Sequence, residues 1–212
     1  MRAMSAPARF YVLDGIDGCG KSTQASLLAS ALARANADGR APLHVREPGS
    51  TPLGERVRAL LLAREFAPSA AVELLLVAAA RRAMLEERVR PALAAGQSVV
   101  CERFHASTFA YQACAGGLPE DEVLHLLARW AGEPRPRLVI LLELPVEQAQ
   151  RRRRGEDDRI EAKGAAFQER VAEGYRRYAQ LRPLGQEVAV VDARGTVEDV
   201  HARVWEQVQR AG

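Results

Sequence analysis

Five short apolar runs punctuate the chain, at residues 9–14, 43–46, 97–102, 137–143 and 187–191, each rich in Val, Leu or Ile. They read as strands. Helical patterning fills the intervals, at 21–35, 52–62, 70–95, 105–114, 119–129, 146–154, 163–181 and 196–210. Strands that alternate with helices predict a parallel sheet covered on both faces. Thr196 is placed to cap the last helix. There is no internal repeat and no low-complexity linker, so 1–212 reads as a single α/β domain. The dense charge at 155–159 marks a candidate mobile loop.

The first strand runs straight into Gly15-Ile16-Asp17-Gly18-Cys19-Gly20-Lys21-Ser22, a complete GxxxxGK[ST] pattern, followed by Thr23 and the first helix. Strand, glycine-rich loop and helix in this order form a phosphate cradle. Backbone N–H groups of the loop turn toward phosphate oxygens, and the helix adds its positive end. Lys21 then reaches the outer phosphates and Ser22 is the candidate Mg²⁺ ligand. Composition reinforces the point. Of 30 basic residues only Lys21 and Lys163 are lysines. The loop position keeps its compact ammonium in a chain that otherwise uses arginine. The chain is therefore expected to bind a nucleoside triphosphate.

Net charge is +3 and the pI about 9.0. That bias suits a phosphate binder and is too small to argue for nucleic acid. The three scattered cysteines, Cys19, Cys101 and Cys114, form no CxxC pair and read as reduced thiols. The opening residues lack the apolar core of a signal peptide, and the apolar stretch 70–80 is too short to span a bilayer. The expectation is a cytoplasmic protein with no membrane or nucleic-acid partner.

What receives the phosphate must be read elsewhere. Ligands of such sheets gather at the carboxyl ends of the strands. There the chain places Arg46-Glu47-Pro48-Gly49 and Glu102-Arg103-Phe104, with Arg81 on the long helix between them. Three arginines would suit a second phosphate group; surface salt bridges are the competing reading. The run Arg151-Arg152-Arg153-Arg154-Gly155 could bring charge on a closing loop, or could be a solvated helix face or an RNA-binding patch.

In order along the chain stand Asp14 to Thr23, Arg46 to Gly49, Glu73 to Leu76, Arg90 to Leu93, Glu102 to Phe104, Ser107-Thr108 with Ala110 to Gln112, Gly155 to Glu161, and Val191 to Ala193. Together they resemble the bacterial thymidylate kinases, over about Phe10 to Thr196. The resemblance implies a P-loop NTPase three-layer sandwich, with a five-stranded parallel sheet and an Arg-rich lid at about 151–161. It also implies transfer of a phosphoryl group from ATP to dTMP, and a homodimer. By the same resemblance the loop from Gly15 to Thr23 holds ATP, and Ala193 and its neighbours touch adenine. Asp17 contacts the acceptor's sugar. Arg46 and Arg103 grip its phosphate. Arg81 hydrogen-bonds thymine. Ser107, Thr108, Tyr111 and Gln112 line base and deoxyribose. Glu102 stands near Mg²⁺. The family places its catalytic arginine either in the phosphate loop or in the lid. Gly18 and Cys19 offer none in the loop, which implies the lid arrangement with Arg154, beside Lys21 and Arg103, in catalysis. The chain departs from the family at Val77, where a stacking Phe is usual, and at Ala80, Ala83 and Ser50. Those departures imply a loosened base pocket. A kinase for another nucleoside monophosphate or for a deoxynucleoside, and a nucleotide-dependent regulatory or nucleic-acid-binding protein, are the competing readings. The second would need basic residues interleaved with aromatics, and none interleaves 151–154.

Overall fold

The computed structural model describes residues 8–36, 39–152, 159 and 163–212. Five parallel strands form one sheet: β1 (Phe10–Gly15), β2 (Leu43–Arg46), β3 (Val99–Glu102), β4 (Leu138–Glu143) and β5 (Val188–Asp192), in the order β2-β3-β1-β4-β5. All of β1 and all but the last residue of β4 are buried. Continuous apolar runs are what strands covered on both faces require.

The covering helices are α1 (Lys21–Ala35), α2 (Pro52–Leu62), α3 (Ala70–Met84), α4 (Arg90–Ala94), α5 (His105–Thr108), α6 (Glu120–Ala131), α7 (Val146–Arg152), α8 (Ala165–Leu181) and α9 (Val197–Arg210). Helices α2 and α9 are both capped by side chains, the second as expected at Thr196. Thr51 accepts from the Gly54 amide, and Thr196 and Asp199 form a reciprocal capping box. The helix expected at 70–95 is continuous but not uniform, because a π-helical turn, Leu85–Val89, joins α3 to α4. A second π segment, Phe109–Cys114, follows α5, and the Ala115 amide bonds back five residues to the Ala110 carbonyl. Periodicity at 3.6 residues cannot announce such a widened turn. A short 3₁₀ turn at Pro183–Gly185 also goes beyond the expected elements.

Close packing fixes the π segment. A Cβ on Gly174 of α8 would lie 2.7 Å from Ala110 Cα, so glycine lets the two backbones touch. His105, wholly buried, ties this region to its neighbours. Its Nε2 lies 2.8 Å from the Ala131 carbonyl, which makes that nitrogen the donor. Nδ1 then accepts from Gln186 Nε2 (2.8 Å), whose Oε1 accepts from the Tyr178 hydroxyl (2.5 Å). Burial, with the charge of Arg81, holds His105 well below the usual histidine range. It is a neutral structural group.

Candidate active site

The carboxyl ends of β1, β3 and β2 converge on one cleft, because β3 lies between the other two. Leaving β1, the chain turns at Gly15, where φ is +140° and a Cβ would fall 2.5 Å from the Leu142 carbonyl oxygen. Only glycine fits beside β4 there. The following loop wraps Lys21, whose ammonium donates to the Ile16 carbonyl at 2.8 Å and lies 3.4 Å from Asp17. Gly15 and Ile16, both buried, do not line the cavity that follows. Asp17, Gly18, Cys19, Gly20, Lys21, Ser22 and Thr23 line a cavity of about 780 Å³ at the amino end of α1.

Behind the loop, Asp14 is a buried organiser. One carboxylate oxygen accepts from the Gly15 amide (2.9 Å), Ser107 Oγ (2.7 Å) and the Tyr175 hydroxyl (2.8 Å), and the other from the Phe104 and Ser107 amides (3.0 Å each). It thereby locks the end of β1 to the turn after β3. In that turn Arg103 adopts φ +65°, a left-handed conformation that a non-glycine residue holds only under constraint. Its guanidinium pairs with Asp17, donates to Ser107 Oγ at 3.1 Å and lies over the Tyr111 ring at 5.4 Å. The Tyr111 hydroxyl donates to Asp17 at 3.0 Å. Burial opposes ionisation of Asp17, but Arg103, Lys21 and the Tyr111 hydrogen bond outweigh it and hold the carboxyl well below its usual range. Asp17 stays anionic.

The carboxylate of Glu102, at the end of β3, accepts from Ser22 Oγ and pairs with His44, whose Nε2 lies 2.9 Å away. Burial would raise its carboxyl; the hydrogen bonds from His44 and Ser22 and the charges of His44 and Lys21 overcome that and lower it. Ser22 and Glu102, far apart in sequence, form a pair of hard oxygen donors, the chemistry that Mg²⁺ prefers.

A second cavity, of about 130 Å³, opens between α2, α3 and the π segment. Arg81 forms one wall and is 1% exposed. Its Nε donates to Glu47 at 2.6 Å, and its Nη2 to the Phe104 carbonyl (3.0 Å) and Thr108 Oγ1 (2.8 Å). Its Nη1 is buried with no partner among the described residues, as is Glu47 Oε1. Burial raises the Glu47 carboxyl to about 7, against the lowering influence of Arg81. Val77, Thr108, Tyr111 and Gln112 complete the wall. Asp17, Glu47, Arg58 and Arg103 line both cavities, so the two meet at these four residues.

A thymidylate kinase family model matches residues 13–204. The chain is 43% identical over 213 residues to the thymidylate kinase of Gluconobacter oxydans (strain 621H), covering 98% of this chain and 97% of that one. It is 44% identical over 196 residues to that of Pseudomonas syringae pv. syringae (strain B728a), covering 91% of each. The crystal structure of thymidylate kinase from Ehrlichia chaffeensis superimposes with a TM-score of 0.76 at 27% identity, over 96% of this chain and 100% of that one. The chain belongs to the thymidylate kinase family.

For a thymidylate kinase sequence most expected positions converge. Asp17, Arg81, Arg103, Ser107, Thr108, Tyr111 and Gln112 surround the smaller cavity, and Arg46, Glu102 and the loop from Asp17 border the larger. Arg46 is half exposed and pairs with Glu55 at 3.2 Å. Ala193 differs from expectation. It is wholly buried, its amide bonds the Glu143 carbonyl and its carbonyl accepts from Arg152 at 3.1 Å. Gly195, Thr196 and Val197 border the loop cavity in its place, because Ala193 still continues the β5 ladder. Arg153 and Arg154 lie outside the described residues, as does most of the lid. Of the three departures on α3, only Val77 lines the smaller cavity, while Ala80 packs against Val57 and Leu61 in a separate α2–α3 cluster. Arg58, His44 and Tyr175 escaped sequence reasoning, while Glu47 and Glu73 stood in its motifs without a role. His44 had a signal, since it lies two residues before Arg46 on the same side of β2. Tyr175, one aromatic of an amphipathic helix, had none.

Proposed function

We propose that this protein transfers the γ-phosphoryl group of ATP to dTMP, yielding ADP and dTDP. The observation that carries the reading is the junction of the two cavities at Asp17, Glu47, Arg58 and Arg103. A triphosphate in the loop cavity and a nucleotide with its base between Val77 and Arg81 bring their phosphates together at that junction. Acceptor and donor are then aligned, and two arginines face the charge that spreads over the transferring group. The acceptor is already an anion, so no base is required.

In this reading Gly15 to Thr23 hold the triphosphate, with the Lys21 ammonium exchanging the Ile16 carbonyl for phosphate oxygens. Ser22 and Glu102 would hold Mg²⁺, which when bound supplies positive charge to the phosphates. Arg103, kept in place by Asp17, Ser107 and Tyr111, takes the acceptor phosphate, with Arg46 and Arg58 beside it. Tyr111 and Asp17 border the sugar, and the unpaired Arg81 Nη1 donates to O4 of thymine. The residues after β5 border the adenine. Arg154 supplies lid charge to the transition state. A homodimer is supported by large apolar side chains left in water on α3, Val72 and Leu75 (61% exposed). No helix among the described residues is long and apolar enough to cross a membrane. The cytoplasm, where the nucleotides are, is the proposed location. An ADP-release assay over a panel of nucleoside monophosphates tests the reading. Turnover stimulated most by dTMP is expected, and turnover indifferent to dTMP would refute it.

A further inference from the structure

Deep in the smaller cavity, Glu73 of α3 is 3% exposed and carries three donors. Arg159 Nη2 lies 2.7 Å and Lys163 Nζ 3.3 Å from one oxygen, and Gln112 Nε2 lies 3.0 Å from the other. Arg159 is itself anchored by Nε on the Leu61 carbonyl at 2.8 Å. Burial would raise the Glu73 carboxyl, but the hydrogen bonds from Arg159 and Gln112 and the charges of Lys163 and Arg159 prevail and lower it. Glu73 therefore remains a carboxylate, and a carboxylate only accepts.

This fixes something a side-chain amide cannot fix for itself. An amide can present either its NH₂ or its carbonyl oxygen to a ligand, and neighbouring groups decide which. Glu73 claims the NH₂ of Gln112. The oxygen Oε1, to which no described residue donates, is what remains for the cavity that Gln112 shares with Arg81. The cavity then carries a donor, the unpartnered Arg81 Nη1, and an acceptor, Gln112 Oε1, on residues that line it together. An imide edge, as in thymine or uracil, offers the complement: O4 accepts and N3–H donates. Cytosine offers the reverse at both positions, an N4 amino donor and a bare N3 acceptor.

We infer that Glu73 is the positioning residue that orients the Gln112 amide and so makes this site select an imide base over cytosine. The inference rests on the kinase reading above and adds the origin of its base choice. It also says why two basic groups from beyond α7, Arg159 and Lys163, are directed at a residue that reaches no phosphate: they keep its carboxylate charged.

The test is Glu73→Gln, nearly isosteric. Arg159 and Lys163 can only donate, so they retain the new side chain's carbonyl and turn its NH₂ toward Gln112. Gln112 must then rotate and show its own NH₂ to the base. Steady-state rates with dTMP, dUMP and dCMP are compared. The kcat/KM ratio of dTMP to dCMP is expected to fall about tenfold or more, because a site built around a substrate hydrogen bond discriminates through it. The dTMP to dUMP ratio should hold within about twofold, since both bases carry the same imide edge. In a Gln112→Met background, Glu73→Gln should leave the dTMP to dCMP ratio unchanged. A variant that loses activity equally on dTMP and dCMP would overturn the inference and assign Glu73 a merely structural role. Should Glu73→Gln fail to fold, a crystal structure of the wild type with dTMP decides. Gln112 Oε1 against N3 is the expected result, and its NH₂ against the base is the contrary one. A wild type that does not phosphorylate dTMP fails the kinase reading first, and that is visible before any variant is made.

Discussion

Replacing Arg81 with methionine should strand a buried carboxylate, that of Glu47. The guanidinium makes hydrogen bonds of 2.6, 3.0 and 2.8 Å to Glu47, Phe104 and Thr108. Both members of the Arg81–Glu47 pair are almost fully buried. Breaking such a pair from one side costs about 3–5 kcal/mol, mostly because the surviving charge has no partner. Glu47 can escape by taking a proton. The fold already raises its carboxyl from 4.5 to about 7. Since the folded value is the higher one, the stability contributed by Glu47 is lost as pH climbs from 4.5 toward 7 and then levels off. Without Arg81 the folded value moves higher still, so the decline continues past pH 7 at up to about 1.4 kcal/mol per unit. Urea denaturation of Arg81→Met at pH 6 and pH 8.5 should therefore show a deficit that widens with pH. Adding Glu47→Gln removes the charge and should restore about 2 kcal/mol at the higher pH. A deficit below about 1 kcal/mol, or one indifferent to both pH and Glu47→Gln, would refute the reasoning.

Lys21→Ala should abolish turnover even with both nucleotides saturating, whereas Arg103→Ala should weaken dTMP binding as well as slow transfer; normal dTMP affinity and rate in the latter, measured by calorimetry and steady-state kinetics, would remove Arg103 from the acceptor site. Arg154→Ala should lower kcat by ~10³-fold or more with a far smaller change in ATP affinity, as expected of charge that matters most in the transition state; an unchanged kcat there and in Arg153→Ala returns the arginine run to the solvent. Val77→Phe should lower the KM for dTMP, since a stacked ring is worth roughly 1–3 kcal/mol and Val recovers only part of it; a KM that does not fall would assign the covering of the base to another side chain.

Strand positions, the phosphate loop and the order of elements could all be read along the chain. Buried strands need unbroken apolar runs, and GxxxxGKS between strand and helix has few other uses. The same local signals sufficed for the cap at Thr196 and for the clustering of Arg46, Glu102 and Arg103 at strand ends. Other features needed the third dimension. The π segment at Phe109–Cys114 depends on the close approach of Gly174, which lies in another helix. Arg81 could be noticed as a cation on an apolar helix, but its meaning required Glu47, Phe104 and Thr108 to surround it and leave one nitrogen unpaired. Ala193 was expected at the adenine from the family resemblance, and the ladder, which continues one residue past β5, buries it. Glu73, Gln112, Arg159 and Lys163 stand up to ninety residues apart. Periodicity and spacing record what each residue does to its neighbours in the chain. A hydrogen-bonding pattern that reads a base is made by groups whose separation in sequence carries no information about their separation in space. Only the packing of α3 against the π segment brings them to one wall.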